Sequence, residues 1–351
     1  MDFQSKVVLI FLNVSILFLL LLFLSYLLIV KDRRTKKENE MKQINLFMDP
    51  YVKAFVFNGE IIPRTLFKQR GIYFEVLEKQ LYQLYSYVNK ENEKDRIDNL
   101  VQAYLLEYYQ EKLKHRRLSI RMNALYYIED FNITYFEKEL MKRYRQNNYE
   151  DLSEKYQVMR VLSSNQSYDY FNFSVLDKEE HPKFIYKDML QRFDKSYSLQ
   201  YINFFSLLPM NFKKAILEWI GEVKELSKIS FIEATLHDKQ DEIRISALKA
   251  LYHLGVVSDV NLIVEFSSSE LYQERVLFAR LAMIMQKQRL KSLLIQMVTD
   301  SNWFVRQAVG EAIASYSDGN IILEYILESH QDRFARDLAV QWLEVGDQVW
   351  I

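Results

Sequence analysis

The sequence predicts an all-α chain: one N-terminal transmembrane helix followed by helical hairpins stacked into an α-solenoid. Three observations carry this expectation. Among 351 residues there are only 7 glycines and 4 prolines, too few turn formers for a many-stranded sandwich or barrel. Residues 7–30, VVLIFLNVSILFLLLLFLSYLLIV, contain no charge. From Asn211 onward a basic residue returns every 30 or 31 positions at the same place in a helical pattern.

Composition bounds the function as well as the fold. At 49% hydrophobic residues the chain has ample material for a core. Formal net charge is −1; residues 211–351 carry 15 Lys and Arg against 20 Asp and Glu, a net of −5. That balance argues against nucleic acid as a partner. There is no cysteine, which excludes disulfides, zinc–thiolate sites and thiol nucleophiles.

Residues 1–30 are expected to form the anchor, because about 20 apolar helical residues cross a bilayer core. The apolar run exceeds a signal-peptide core, and no small-residue cleavage site follows it. Residues 31–40 are expected to be a basic juxtamembrane linker. Lys31, Arg33, Arg34, Lys36 and Lys37 crowd this end against Lys6 at the other, which places the N-terminus outside the cell membrane and the remainder in the cytoplasm. The same five side chains suit anionic lipid headgroups.

Residues 41–116 read as a helical region with interruptions at Pro50, Asn58-Gly59, Pro63 and Gly71. Phe74, Leu77, Leu81, Leu84 and Val88 fall on one helical face. After NKENEKDR, a second helix with Leu100, Ala103, Tyr104, Leu106 and Tyr108 on its apolar side is expected to pair with it antiparallel. Residues 117–210 read as divergent or interrupted repeats, with SSNQSYDYFNFS and EEHPKF as irregular stretches.

Residues 211–351 form the repeat array. Arg244 in EIRISALKAL, Arg275 in QERVLFARLA, Arg306 in FVRQAVGEAI and Arg336 in FARDLAVQWL follow one another at 31, 31 and 30 residues. Lys213 in NFKKAILEWI stands 31 residues before Arg244, and Arg121 in LSIRMNALYYI stands 123 before it. The third and seventh residues after each basic one are apolar, so each copy presents a buried seam. Gly255, Gly319 and Gly346 fall at expected helix ends, and Asp259, Asp300 and Asp332 at expected starts.

This pattern resembles the HEAT repeat superfamily in its short form, first recognised in phycobilisome lyases, in which an acidic turn precedes a Val-Arg pair and an alanine-rich helix. The resemblance covers residues 211–351 and extends to Arg121. It implies a right-handed solenoid whose stability is a sum of neighbouring interfaces. The basic slots Arg121, Lys213, Arg244, Arg275, Arg306 and Arg336 then read as a structural ladder between repeats rather than a binding stripe.

The functional expectation is a non-enzymatic scaffold or adaptor, held at the membrane, that binds a protein partner such as a membrane enzyme or transport complex. No phosphate-cradling loop, nucleophile elbow or calcium loop occurs, so no cofactor is expected. Of five histidines only His181 stands beside two carboxylates, Glu179 and Glu180, with no second histidine at ligand spacing, so no metal is expected either. Tyr168, Tyr170, Phe171, Trp303, Trp342 and Trp350 are the candidate partner anchors. Two alternatives remain: an enzyme of the lyase or isomerase kind that the repeat type implies, and a cell-surface binder with reversed topology.

Overall fold

A computed structural model describes residues 3–67, 71–147 and 149–348, and among them every regular element is helical. The chain divides into two compact units, Met1–Glu139 with Asn147–Val161, and Leu140–Gln146 with Leu162–Ile351.

In unit 1, α1 runs unbroken from Phe3 to Lys53 and ends in a π-helical turn, Ala54–Asn58, closed by Gly59 at φ 76°. Its apolar part has a mean hydropathy of 2.6, with none of that window buried against protein. It is long and apolar enough to span a membrane. The linker expected at 31–40 and the break expected at Pro50 are both helix instead. Pairs one turn apart, Arg34–Glu38 at 2.7 Å and Lys36–Asp32 at 2.8 Å, brace the charged stretch. Beyond it Ile44, Met48, Val52 and Val56 recur every fourth residue and are buried, so packing carries the helix through Pro50.

Helix α2 (Ile72–Tyr87) runs parallel to α1: Lys37 binds Glu75 at 2.7 Å, and farther along both helices Gln80 donates to Asn45 at 2.9 Å. Helices α3 (Glu91–Leu100) and α4 (Leu106–Leu113) are joined by a π turn, Val101–Leu105. They return antiparallel to α2, with Lys94 over the Tyr85 ring at one end and Phe74 against Tyr108 at the other. The π turn shifts the register, so Leu105, Tyr109 and Leu113 face the core, whereas Ala103, expected there, is exposed. Helix α5 (Leu118–Asp130) follows α4 and packs on it.

One charged pair lies inside unit 1. Glu78 is 2% exposed, and both its carboxylate oxygens lie 3.5 Å from Lys112 Nζ, which sits 3.9 Å over the Tyr108 ring. Burial outweighs the lysine and pushes the Glu78 carboxyl up to about 7, while burial lowers Lys112.

The remaining helices are α6 (Glu137–Gln146), α7 (Leu152–Ser164), α8 (Tyr168–Leu176), α9 (Lys183–Arg192), α10 (Lys195–Gln200), α11 (Met210–Glu222), α12 (Ile229–Ala234), α13 (Asp241–Leu254), α14 (Asn261–Val264), α15 (Tyr272–Met285), α16 (Gln288–Gln296), α17 (Trp303–Ala314), α18 (Gly319–Ser329) and α19 (Arg333–Gln348). In unit 2 the odd-numbered helices pack in succession: α9 on α11, α11 on α13, α13 on α15, α15 on α17 and α17 on α19.

The repeated basic residue is the fourth residue of its helix in every copy. That position also reveals the copies the sequence conceals, since it is Lys155 in α7 and Tyr186 in α9. Residues 149–210, expected to be divergent or irregular, thus hold helices α7 to α10, and α7 and α9 carry Lys155 and Tyr186 at the slot position. Facing backward, Arg121, Arg244, Arg275, Arg306 and Arg336 each donate from Nη1 to the carbonyl six residues earlier, in the turn that precedes the helix. Tyr186 serves the same turn by donating to the Glu179 carbonyl at 2.9 Å.

Facing forward, Arg121 binds both oxygens of Glu154, Arg244 binds Glu274, and Arg275 binds both oxygens of Asp300 at 2.6 and 2.9 Å. Arg306 instead lies 4.8 Å from the Phe334 ring centre.

Glycine matters where helices touch. A Cβ on Gly221 of α11 would stand 2.7 Å from Ala250 Cα of α13, so the two backbones meet there. Gly255 ends α13 at φ 74° as expected, but Gly319 opens α18 and Gly346 lies within α19.

Three outcomes follow. Gly221→Val should destabilise unit 2 by about 2 kcal/mol in denaturant titration, through backbone separation. Arg275→Met should cost about 2–3 kcal/mol because Asp300 loses a bidentate partner, and Arg306→Met, which breaks no ion pair, clearly less. Since Glu78 holds its proton more tightly folded than unfolded, its contribution is complete below pH 4.5 and is lost as pH rises through about 7. Wild type minus Glu78→Gln, in paired unfolding curves, should fall by up to about 3 kcal/mol across that window.

Candidate protein-docking surface

The start of each odd-numbered helix sorts its residues by depth. In α17, the Asn302 side chain accepts from Phe304 N at 2.9 Å and fixes the first turn. Val305 at the third position then points into the core and Arg306 at the fourth holds the Asp300 and Ser301 carbonyls. The first and second positions, Trp303 and Phe304, are left outward at 56% and 58% exposure.

Neighbouring helices extend this pair. Tyr272, first in α15, stacks on Phe304 with ring centres 6.2 Å apart, and Trp303 meets Phe304 edge-on at 5.1 Å. Phe334, second in α19, is 60% exposed and lies under the Arg306 guanidinium. Three successive odd-numbered helices thus present four aromatic rings and one guanidinium on one surface. Tyrosine, tryptophan and arginine dominate protein-interface hot spots, and rings already in contact lose little rotamer freedom on docking.

The expected anchors distribute differently. Trp303 belongs to this surface. Trp342 packs across helices, its indole 2.3 Å from where a Cβ on Gly310 would stand. Tyr170 and Phe171 are buried in an aromatic cluster with Phe193 and Tyr201, which corrects the expectation that they are surface anchors: α8 turns them inward. Tyr168, at the start of α8, is exposed. Trp350 lies outside the described residues. Tyr272, Phe304 and Phe334 were missed, although alignment carried a signal: the second slot reads Asn211, Glu242 and Gln273 before it becomes Phe304 and Phe334.

Two other clusters carry chemistry. Asp177, Glu179 and His181, between α8 and α9, have potential ligand atoms within 4.8 Å of one another. Two carboxylates and an imidazole could hold a divalent cation. These residues also order their turn: Tyr144 donates to Asp177 Oδ2 at 3.0 Å, and Tyr186 takes the His181 N–H while donating to the Glu179 carbonyl. Burial, with Asp177 second, drives the Tyr144 hydroxyl well up from its ordinary range. In unit 1, a cavity of about 620 Å³ opens beside the π turn, walled by Phe67, Phe74, Tyr104, Leu106, Glu107 and Tyr135.

No family model matches the chain, and no curated protein matches its sequence. One solved structure similar in shape, a crystal structure of an engineered protein, is 11% identical, with 88% of this chain aligned to 95% of that one at a TM-score of 0.34.

Proposed function

We propose that the protein is a membrane-anchored scaffold or adaptor, a HEAT-like solenoid on the cytoplasmic side that docks a protein partner through Tyr272, Trp303, Phe304 and Phe334. The observation that carries this reading is the contact of the Tyr272, Trp303 and Phe304 rings, extended by Phe334 under Arg306, all open to solvent. The slot residues Arg121, Arg244, Arg275 and Arg306 support the solenoid part, because each of these four reaches both its own turn and a side chain of the next copy. The charge-free run of α1 supports the anchor, and the five basic residues that follow it support the orientation. Confinement to the bilayer plane raises the effective concentration of the adaptor with a membrane-resident partner.

In-cell crosslinking with affinity capture tests the docking surface. The full chain should enrich a defined partner, and Trp303→Ala with Phe304→Ala should weaken its capture about 30-fold or more while unfolding as wild type does. Identical partner sets from both forms would sink the reading. Because the chain lacks cysteine, Tyr87→Cys supplies a unique label for topology. Its modification by an impermeant maleimide in intact cells would overturn the cytoplasmic placement.

A further inference from the structure

The sequence KHRR at 114–117 forms the turn between α4 and α5, and all four residues are exposed. Its backbone is held from within unit 1. Arg121 Nη1 donates to the carbonyls of His115 and Arg116 at 2.9 and 3.0 Å, and Arg117 N donates to His115 Nδ1 at 3.0 Å. With its carbonyls bound on the inside, the turn presents Lys114, Arg116 and Arg117 outward. None of these three side chains enters an ion pair among the described residues; Glu111 is an exposed carboxylate beside them, lining a small cavity with Lys112 and His115.

The position of this turn along the anchor follows from helix direction. The charge-free run ends at Val30, and Lys37 lies seven residues beyond it, about 10 Å along the helix axis. The Lys37–Glu75 pair sets the first turn of α2 at that height. Helix α4 runs antiparallel to α2, back toward the apolar part of α1. Its last turn packs beside the start of α2, where Gly71, Phe74, Lys112 and His115 share a cavity of about 230 Å³. The Lys114–Arg117 turn therefore emerges at the height of Lys37 or closer to the apolar segment, on the side from which the bilayer would face it.

We propose that the Lys114–Arg117 turn is a second membrane contact, seated on anionic phospholipid headgroups beside Lys31, Arg33, Arg34, Lys36 and Lys37. The proposal rests on the reading of α1 as a bilayer span and is independent of the docking surface. A span alone leaves unit 1 free to rotate about the α1 axis. A basic turn displaced from that axis removes this freedom, so a headgroup layer of the right charge selects one face of unit 1. Three fixed cations near an anionic surface, each contributing about a fivefold preference, suffice for this selection, which weakens as salt screens them.

The test uses the full chain in vesicles, with a nitroxide introduced at Ser119→Cys, an exposed position just past the turn, and nickel held on a chelating headgroup lipid. Resistance to alkaline extraction, read first, reports whether the chain spans the bilayer, so failure of the anchor is separated from failure of the turn to dock. In vesicles of phosphatidylcholine with phosphatidylglycerol, relaxation of the nitroxide by headgroup nickel should be several-fold stronger than in phosphatidylcholine alone. Lys114→Gln, Arg116→Gln and Arg117→Gln together should abolish the difference, as should high salt. A label at Tyr87→Cys, at the opposite end of α2, should not respond. An integrated chain whose Ser119 label is indifferent to lipid charge, or whose two labels respond equally, would overturn the proposal.

Discussion

A guanidinium that reaches backward to its own turn and forward to the next copy is the joint made by Arg121, Arg244, Arg275 and Arg306, and the succession of long helices from α13 to α19 depends on it. The turns before α5, α13, α15, α17 and α19 each present carbonyls that the following helix leaves without a partner and that this guanidinium takes up. Arginine has five donors in a rigid fork, so one side chain can hold the Ser269 and Glu270 carbonyls and both oxygens of Asp300. Lysine lacks that fork, and Lys213 is placed instead 5.9 Å from the Phe205 ring centre. Tyr186 divides the task differently: its hydroxyl holds the turn, and its ring stacks on Phe212 of the next long helix at 4.4 Å.

That joint explains which parts of the fold were legible. Where the slot kept its arginine and its 30- or 31-residue interval, the copies could be found by spacing alone. Between Arg121 and Lys213 the slot becomes Lys155 and then Tyr186, at intervals of 34, 31 and 27, so the arginine is gone and two of the three intervals leave the period. The helices persist there because the apolar pattern does, with Val158, Leu162, Ile185 and Met189 buried. The π turn at 101–105 was illegible for another reason: it adds a residue to one turn, and nothing local to Val-Gln-Ala-Tyr-Leu distinguishes that from α-helix. Pro50 was overread as a break because the stripe from Ile44 to Val56 outweighs one lost hydrogen bond.

The docking surface was legible only in part. Trp303 stood out by residue type, but type alone also selected Tyr170, Phe171 and Trp342, which packing turns inward. Depth within a repeat is set by position after the cap, and comparing second positions from α11 onward separates Phe304 and Phe334 from Asn211, Glu242 and Gln273. The charge of the 114–117 turn was visible as letters, whereas its height along α1 depends on α2 lying parallel and α4 antiparallel to it, which no local pattern encodes.

Helix α1 is one rod from the apolar run to the core of unit 1, without a loop at residues 31–40 to decouple the two. Met48 and Val52 are thus fixed to the same axis as Leu20. With the apolar run in a bilayer, a membrane thinner than that run tilts the rod, and a tilt pivots the whole of unit 1 rather than bending a linker. Bilayer thickness then becomes a mechanical input, and a few degrees at the anchor are delivered to α2 as a change in the angle at which it meets the headgroup plane.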